Sequence, residues 1–96
     1  HVSMAAHAAL RLRRMNDNLS VIIGVEALCA TQGIDYRAPL TTSAPLRAVM
    51  AAYRAQIAGL GEDRYLAGDL ETAADMVKSG ALVAASGLSL PLGPDV

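Results

Sequence analysis

The chain has 96 residues and a net charge of −1, with acidic and basic side chains mixed along its length. That length suits one small domain, and that balance argues against nucleic acid or an anionic membrane as the main partner. Hydrophobic residues make up 53%, yet many are alanine and there is no Phe or Trp, so each buried side chain contributes little apolar area.

The first element is the longest. From Val2 to Gln32 there is no proline and a single interior glycine, Gly24. Leu12, Met15, Leu19, Ile22 and Cys29 recur at helical three-four spacing, and Glu26 falls on the same row. The pattern predicts a helix over about 3–32, with Ser3 as its cap and Gly33 as its stop. An unbroken helix of that length is on the order of 45 Å long, more than the width of a compact domain of this size. Arg11, Arg13, Arg14, Asn16, Asp17 and Asn18 wet its first half, whereas from Leu19 to Ala30 only Ser20 and Glu26 are polar. A stretch apolar on nearly all faces needs cover on all sides. Leu19 to Ala30 is therefore expected to be an inter-chain surface. Glu26 within it needs an arginine partner, for which Arg11 or Arg14 of an antiparallel neighbour are candidates. The same run is too short to span a bilayer.

Gly33 to Thr42 reads as a loop, with Pro39 and a Thr-Thr-Ser cluster at its end. Ser43 precedes a second helix over about 44–58, with Pro45 tolerated in the first turn. Leu46, Val49, Met50, Tyr53 and Ile57 form its apolar stripe, and Gly59 and Gly61 end it. Glu62 to Gly68 is a connector. A third helix over about 69–79 has Asp69 as its cap. Leu70, Ala73, Ala74 and Val77 are its stripe, and Lys78 suits its carboxyl end. Ala81 to Ala85 adds a further turn, and the tail 86–96, with Gly87, Pro91, Gly93 and Pro94, is expected to fray. With no strand pattern, the class is all-α: one long helix and two to three shorter ones, read as a fragment of a larger helical protein or as one protomer of a helical oligomer.

The chemistry-bearing residues form no complete active site. His1 and His7 are six apart, the wrong spacing for one helix face, so no metal site is expected. Cys29 stands alone in an apolar stretch, which excludes an internal disulfide and fits an inert thiol. Glu62, Asp63, Arg64 and Tyr65 read as a turn stitched by an ion pair. The opening residues carry no basic region followed by an apolar one, so no signal peptide is expected and the composition fits a cytoplasmic protein.

Two blocks carry a resemblance. The opening His1-Val2-Ser3-Met4, running into an Ala- and Arg-rich helix, resembles the stretch that follows the Gln-Glu-Asp motif of histidine ammonia-lyases. Glu26-Ala27-Leu28-Cys29-Ala30-Thr31-Gln32-Gly33-Ile34-Asp35-Tyr36-Arg37-Ala38-Pro39-Leu40 resembles the same family's Glu-Leu-Leu-Ala-Ala-Cys-Gln-Gly block, and Glu62-Asp63-Arg64-Tyr65-Leu66 follows at the family's spacing. The likeness runs from Val2 to about Ala85. It implies the carboxyl-terminal segment (1–96) of a homotetrameric, mostly helical enzyme that eliminates ammonia from L-histidine to give urocanate. It also implies an electrophilic 4-methylidene-imidazol-5-one ring, formed from an internal Ala-Ser-Gly elsewhere in the polypeptide, and no metal. No catalytic residue of the family carries over onto this chain; His1, next to a site residue, is a possible pocket edge. The implied partners are the rest of the lyase chain, identical subunits and a small amino-acid substrate, with no nucleic acid and no membrane. Ala85-Ser86-Gly87 repeats the ring-forming tripeptide but lacks its sequence context, so no ring is expected there. A phenylalanine or tyrosine ammonia-lyase, or an aminomutase, is the near alternative, which His1 disfavours. A non-catalytic helical oligomerisation module is the alternative from another class.

Overall fold

The computed structural model describes residues 2–89 and 91. It contains four helices: α1 (Ala5–Asp35), α2 (Ala44–Arg54), α3 (Ala67–Lys78) and α4 (Ala81–Ser86). Among the described residues there is no strand, in agreement with the all-α reading. The radius of gyration is 16.8 Å, against about 12–13 Å for a compact domain of this length. The excess comes from α1, whose 31 residues run roughly 46 Å and outreach everything packed on them.

α1 rests on α3, α2 rests on α4, and α3 also meets α4. The buried centre is small: Tyr53 and Ile57 from α2 and the turn after it, with Ala73 and Met76 from α3. Ala27, Leu28, Ala81 and Leu82 pack around them. Each large side chain in that cluster stabilises by about 2 kcal/mol through burial.

Gly24 is where the two main helices meet. It is buried in the middle of α1. A Cβ built on it would lie 2.9 Å from the backbone nitrogen of Ala74 and 3.1 Å from the carbonyl carbon of Ala73. Small residues on both sides, Gly24 against Ala73 and Ala74, let the backbones touch. Thr31, further along this row, is 6% exposed. Its hydroxyl donates back to the carbonyls of Ala27 and Leu28, so it is buried without an orphaned donor.

Several boundaries differ from the sequence expectation. α1 does not stop before Gly33 but continues to Asp35, where Arg54 grips the Asp35 carboxylate. At the other end Ser3 lies one residue before the cap position, Met4, and its Oγ accepts from the Ala5 N–H at 3.3 Å. α2 ends at Arg54, and the chain reaches Ile57 in turns rather than running helical to 58. α3 starts at Ala67, so Asp69 lies inside its first turn and does not cap it. There its charge still suits the helix amino terminus. Gly80 takes a left-handed conformation, φ 76°, and closes α3, the role glycine fills after a helix. Of the expected frayed tail, Leu90 and 92–96 lie outside the described residues. Ser86 ends α4, and Gly87 (φ 68°) follows it in a left-handed turn.

Candidate functional site

His1, the expected pocket edge, lies outside the described residues. His7 is exposed on the first turns of α1. Cys29 is exposed rather than buried in an apolar stretch. Glu26 is exposed too, because within one chain only a single face of α1 is covered. Among the described residues no group of three His, Cys, Asp or Glu is placed to hold a metal ion. No helix among them is long and apolar enough to cross a membrane.

What the fold does bring together is a clamp on the connector between α2 and α3. Four consecutive carbonyls are each held by a side chain. Arg54 Nη1 donates to Ile57 O at 3.4 Å, and Arg64 donates to Ala58 O at 2.8 Å and Gly59 O at 3.0 Å. The Gln32 amide donates to Leu60 O at 3.4 Å, while its Oε1 accepts from Leu60 N–H at 2.8 Å. The two arginines are themselves oriented by carboxylates. Arg54 Nε donates to Asp35 Oδ2 at 3.1 Å, and Arg64 Nη2 to Asp69 Oδ2 at 2.9 Å. The connector is thus fixed by an ion pair, but Arg64 pairs with Asp69, not with its neighbours Glu62 or Asp63. A planar guanidinium can bridge a carboxylate and two carbonyls at once, which a lysine cannot.

Beneath the clamp sits Tyr53, 0% exposed. Among the described residues no group hydrogen-bonds its hydroxyl. Its acidity is weakened, chiefly by burial; Arg54 opposes that shift, and Asp69 and Cys29 add to it. The phenol is a member of the buried core cluster with Ile57, Ala73 and Met76.

Ala85-Ser86-Gly87 does not fit a ring-forming role. Ser86 Oγ donates to Val83 O at 2.6 Å and accepts from Leu88 N–H at 3.1 Å, and the Gly87 N–H donates to Ala84 O at 3.2 Å. Ring closure joins the Gly nitrogen to the Ala carbonyl carbon two residues back. It needs a compressed backbone, not the relaxed end of a half-buried helix.

The remaining surface of interest is the free face of α1. Leu12, Met15, Leu19 and Ile22 stand on it, 51–62% exposed. A contiguous apolar row of this kind marks a contact surface. Sequence reasoning missed Met76 in the core, the Gln32 amide bridge and the Asp35–Arg54 pair. Gly24, the one glycine between Val2 and Gln32, was the available signal for the α1–α3 crossing.

The sequence model of the aromatic amino acid lyase family matches residues 1–55. A histidine ammonia-lyase of Roseobacter denitrificans is 61% identical over 84 residues, covering 88% of this chain and 16% of the relative. One of Bradyrhizobium diazoefficiens is 60% identical over 94 residues, covering 98% of this chain and 18% of the relative. The chain thus spans less than a fifth of the length of these curated relatives. No solved structure matches it. By its family match and its near end-to-end identity with these relatives, the chain belongs to the aromatic amino acid lyase family.

Proposed function

We propose that the chain is the carboxyl-terminal helical segment of a histidine ammonia-lyase, which eliminates ammonia from L-histidine to give urocanate. The observation that carries this reading is the 60–61% identity to two histidine ammonia-lyases over 88–98% of the chain. Within that enzyme the segment is structural. α1 supplies a long apolar face for packing in a homotetramer, and the clamped α2–α3 connector closes the outer end. The electrophile, a 4-methylidene-imidazol-5-one ring, belongs to another part of the polypeptide, since Ala85-Ser86-Gly87 is unsuited to forming it. The residues Gln32, Asp35 and Arg64, which carry part of the family likeness, hold the fold here rather than a substrate. The setting is cytoplasmic histidine degradation.

The test is a substrate panel on the purified longer polypeptide, reading ammonia release from L-histidine, L-phenylalanine and L-tyrosine. The expected result is release from L-histidine above the other two. Preference for phenylalanine or tyrosine would move the protein to the sister branch, and no release from any would leave it a non-catalytic helical module.

A further inference from the structure

A cleft of roughly 320 Å³ lies where the chain turns from α1 into α2. α1 ends at Asp35 and α2 begins at Ala44. Between them the backbone folds back on itself. The Arg37 N–H donates to Ile34 O at 2.9 Å, the Ala38 N–H to Asp35 O at 3.2 Å, and the Leu40 N–H to Arg37 O at 2.9 Å. These turns set Ala38 and Leu40 on one cleft with Ile34 of α1 and Met50 of α2, and the four supply its apolar walls. Ile34 and Met50 are half-buried, whereas Leu40 is exposed. A mostly apolar cleft of this size with a few polar groups is the usual form of a small-molecule site.

Two side chains of opposite charge, Asp35 and Arg47, line the same cleft. Each is oriented by part of its hydrogen-bonding capacity and keeps the rest. Arg47 Nη1 donates to Thr42 O at 2.6 Å, and among the described residues its Nε and Nη2 donate to nothing. Asp35 Oδ2 accepts from Arg54, and among the described residues its Oδ1 accepts from nothing. The two do not pair with each other. We infer that this cleft binds an aliphatic α-amino acid as its zwitterion. The ligand carboxylate lies on Arg47, whose planar fork suits it. The ammonium lies on Asp35 Oδ1, while Oδ2 keeps its hold on Arg54. The side chain packs against Ile34, Leu40 and Met50. Charge selects this class: a fatty acid or a simple amine answers only one of the two groups, and a phosphate brings surplus negative charge to Asp35. The walls select the side chain, because none of the residues lining the cleft is an aromatic that would stack a ring. Nothing in this inference depends on the lyase reading.

The experiment is a ligand-detected NMR titration of the purified longer polypeptide, wild type and Arg47→Gln. The probes are L-leucine, 4-methylpentanoate, which lacks the ammonium, and 3-methylbutylamine, which lacks the carboxylate. Saturable binding of L-leucine to the wild type in the millimolar range is expected. Arg47→Gln should weaken it about tenfold or more, and loss of either charged group from the ligand should do the same. Arg47 is exposed, so the variant keeps its fold, and the probe series on the wild type stands without it. Absence of saturable L-leucine binding would overturn the proposal. Equal affinity in Arg47→Gln would overturn it by placing the ligand elsewhere. Binding of 4-methylpentanoate as tight as that of L-leucine would overturn the zwitterion in favour of a plain carboxylate site.

Discussion

Gly24→Ala is the substitution that separates packing from helix propensity in this fold. In a helix interior, replacing glycine with alanine stabilises by about 0.8–1 kcal/mol through backbone entropy. At Gly24 the new methyl would lie 2.9 Å from the Ala74 nitrogen and 3.1 Å from the Ala73 carbonyl carbon. Those are backbone atoms, so no side-chain rotation relieves the contact, and α3 has to move away from α1. The shift disturbs Ala73 and Met76, half of the buried cluster. Overpacking of this kind costs about 1–3 kcal/mol, which outweighs the propensity gain and leaves a net loss of about 1 kcal/mol. Gly33 provides the control inside the same helix: nothing lies within 4 Å of a Cβ there, so Gly33→Ala should gain about 0.5–1 kcal/mol. The two variants should then differ by about 1.5–2 kcal/mol, or on the order of 10 °C in Tm for a chain of this size. Urea and thermal unfolding followed by far-ultraviolet circular dichroism read this directly. A Gly24→Ala chain as stable as Gly33→Ala would refute the close α1–α3 crossing.

Other consequences are smaller but distinct. Tyr53→Phe removes a buried hydroxyl that no described group satisfies, and should stabilise the chain by about 1 kcal/mol. Because burial raises the Tyr53 pKa above its ordinary value of 10.0, the unfolded phenol ionises first as pH climbs. Stability is complete below about pH 10 and falls above it, and that alkaline loss should be smaller in Tyr53→Phe, as paired pH titrations of unfolding would read. Arg64→Ala frees the Ala58 and Gly59 carbonyls together with the Asp69 carboxylate. It should cost about 1–2 kcal/mol and speed amide exchange in the connector, and Arg64→Lys should not restore either. By contrast Lys78→Ala, which removes an exposed pair with Asp17, should leave Tm unchanged within the scatter of measurement. Intact mass spectrometry should show an unmodified Ala85-Ser86-Gly87; a peptide lighter by two waters would contradict the relaxed geometry at the end of α4.

The long helix was legible because nothing interrupts it: no proline between Val2 and Gln32, and apolar residues at helical spacing. Its carboxyl end was not, because Gly33 looks like a stop, and only the Arg54 contact with Asp35, 19 residues away in sequence, shows why the helix runs on. Asp69 was read as a cap on its chemistry. The helix starts two residues earlier because Leu66 takes the cap position and Arg64 claims the carboxylate. Met76 escaped because the stripe through Leu70, Ala73, Ala74 and Val77 was complete without it. Which flank of α3 joins the cluster around Tyr53 and Ile57 is settled by packing, not by periodicity. Glu26 could be read as a carboxylate on an apolar row. Periodicity does not reveal that α3 takes the opposite row, through Gly24 and Thr31, and so leaves Glu26 in water within one chain.

If this segment is scaffold for a histidine-specific lyase, catalysis must need the rest of the polypeptide. Urocanate absorbs strongly in the ultraviolet, so its release from L-histidine can be followed side by side for the purified longer polypeptide and for the 96-residue chain alone, with circular dichroism to establish that the latter is helical. Urocanate is expected from the longer polypeptide and none from the folded segment. Urocanate from the segment alone would contradict its role as scaffold, and none from the longer polypeptide would contradict the lyase itself.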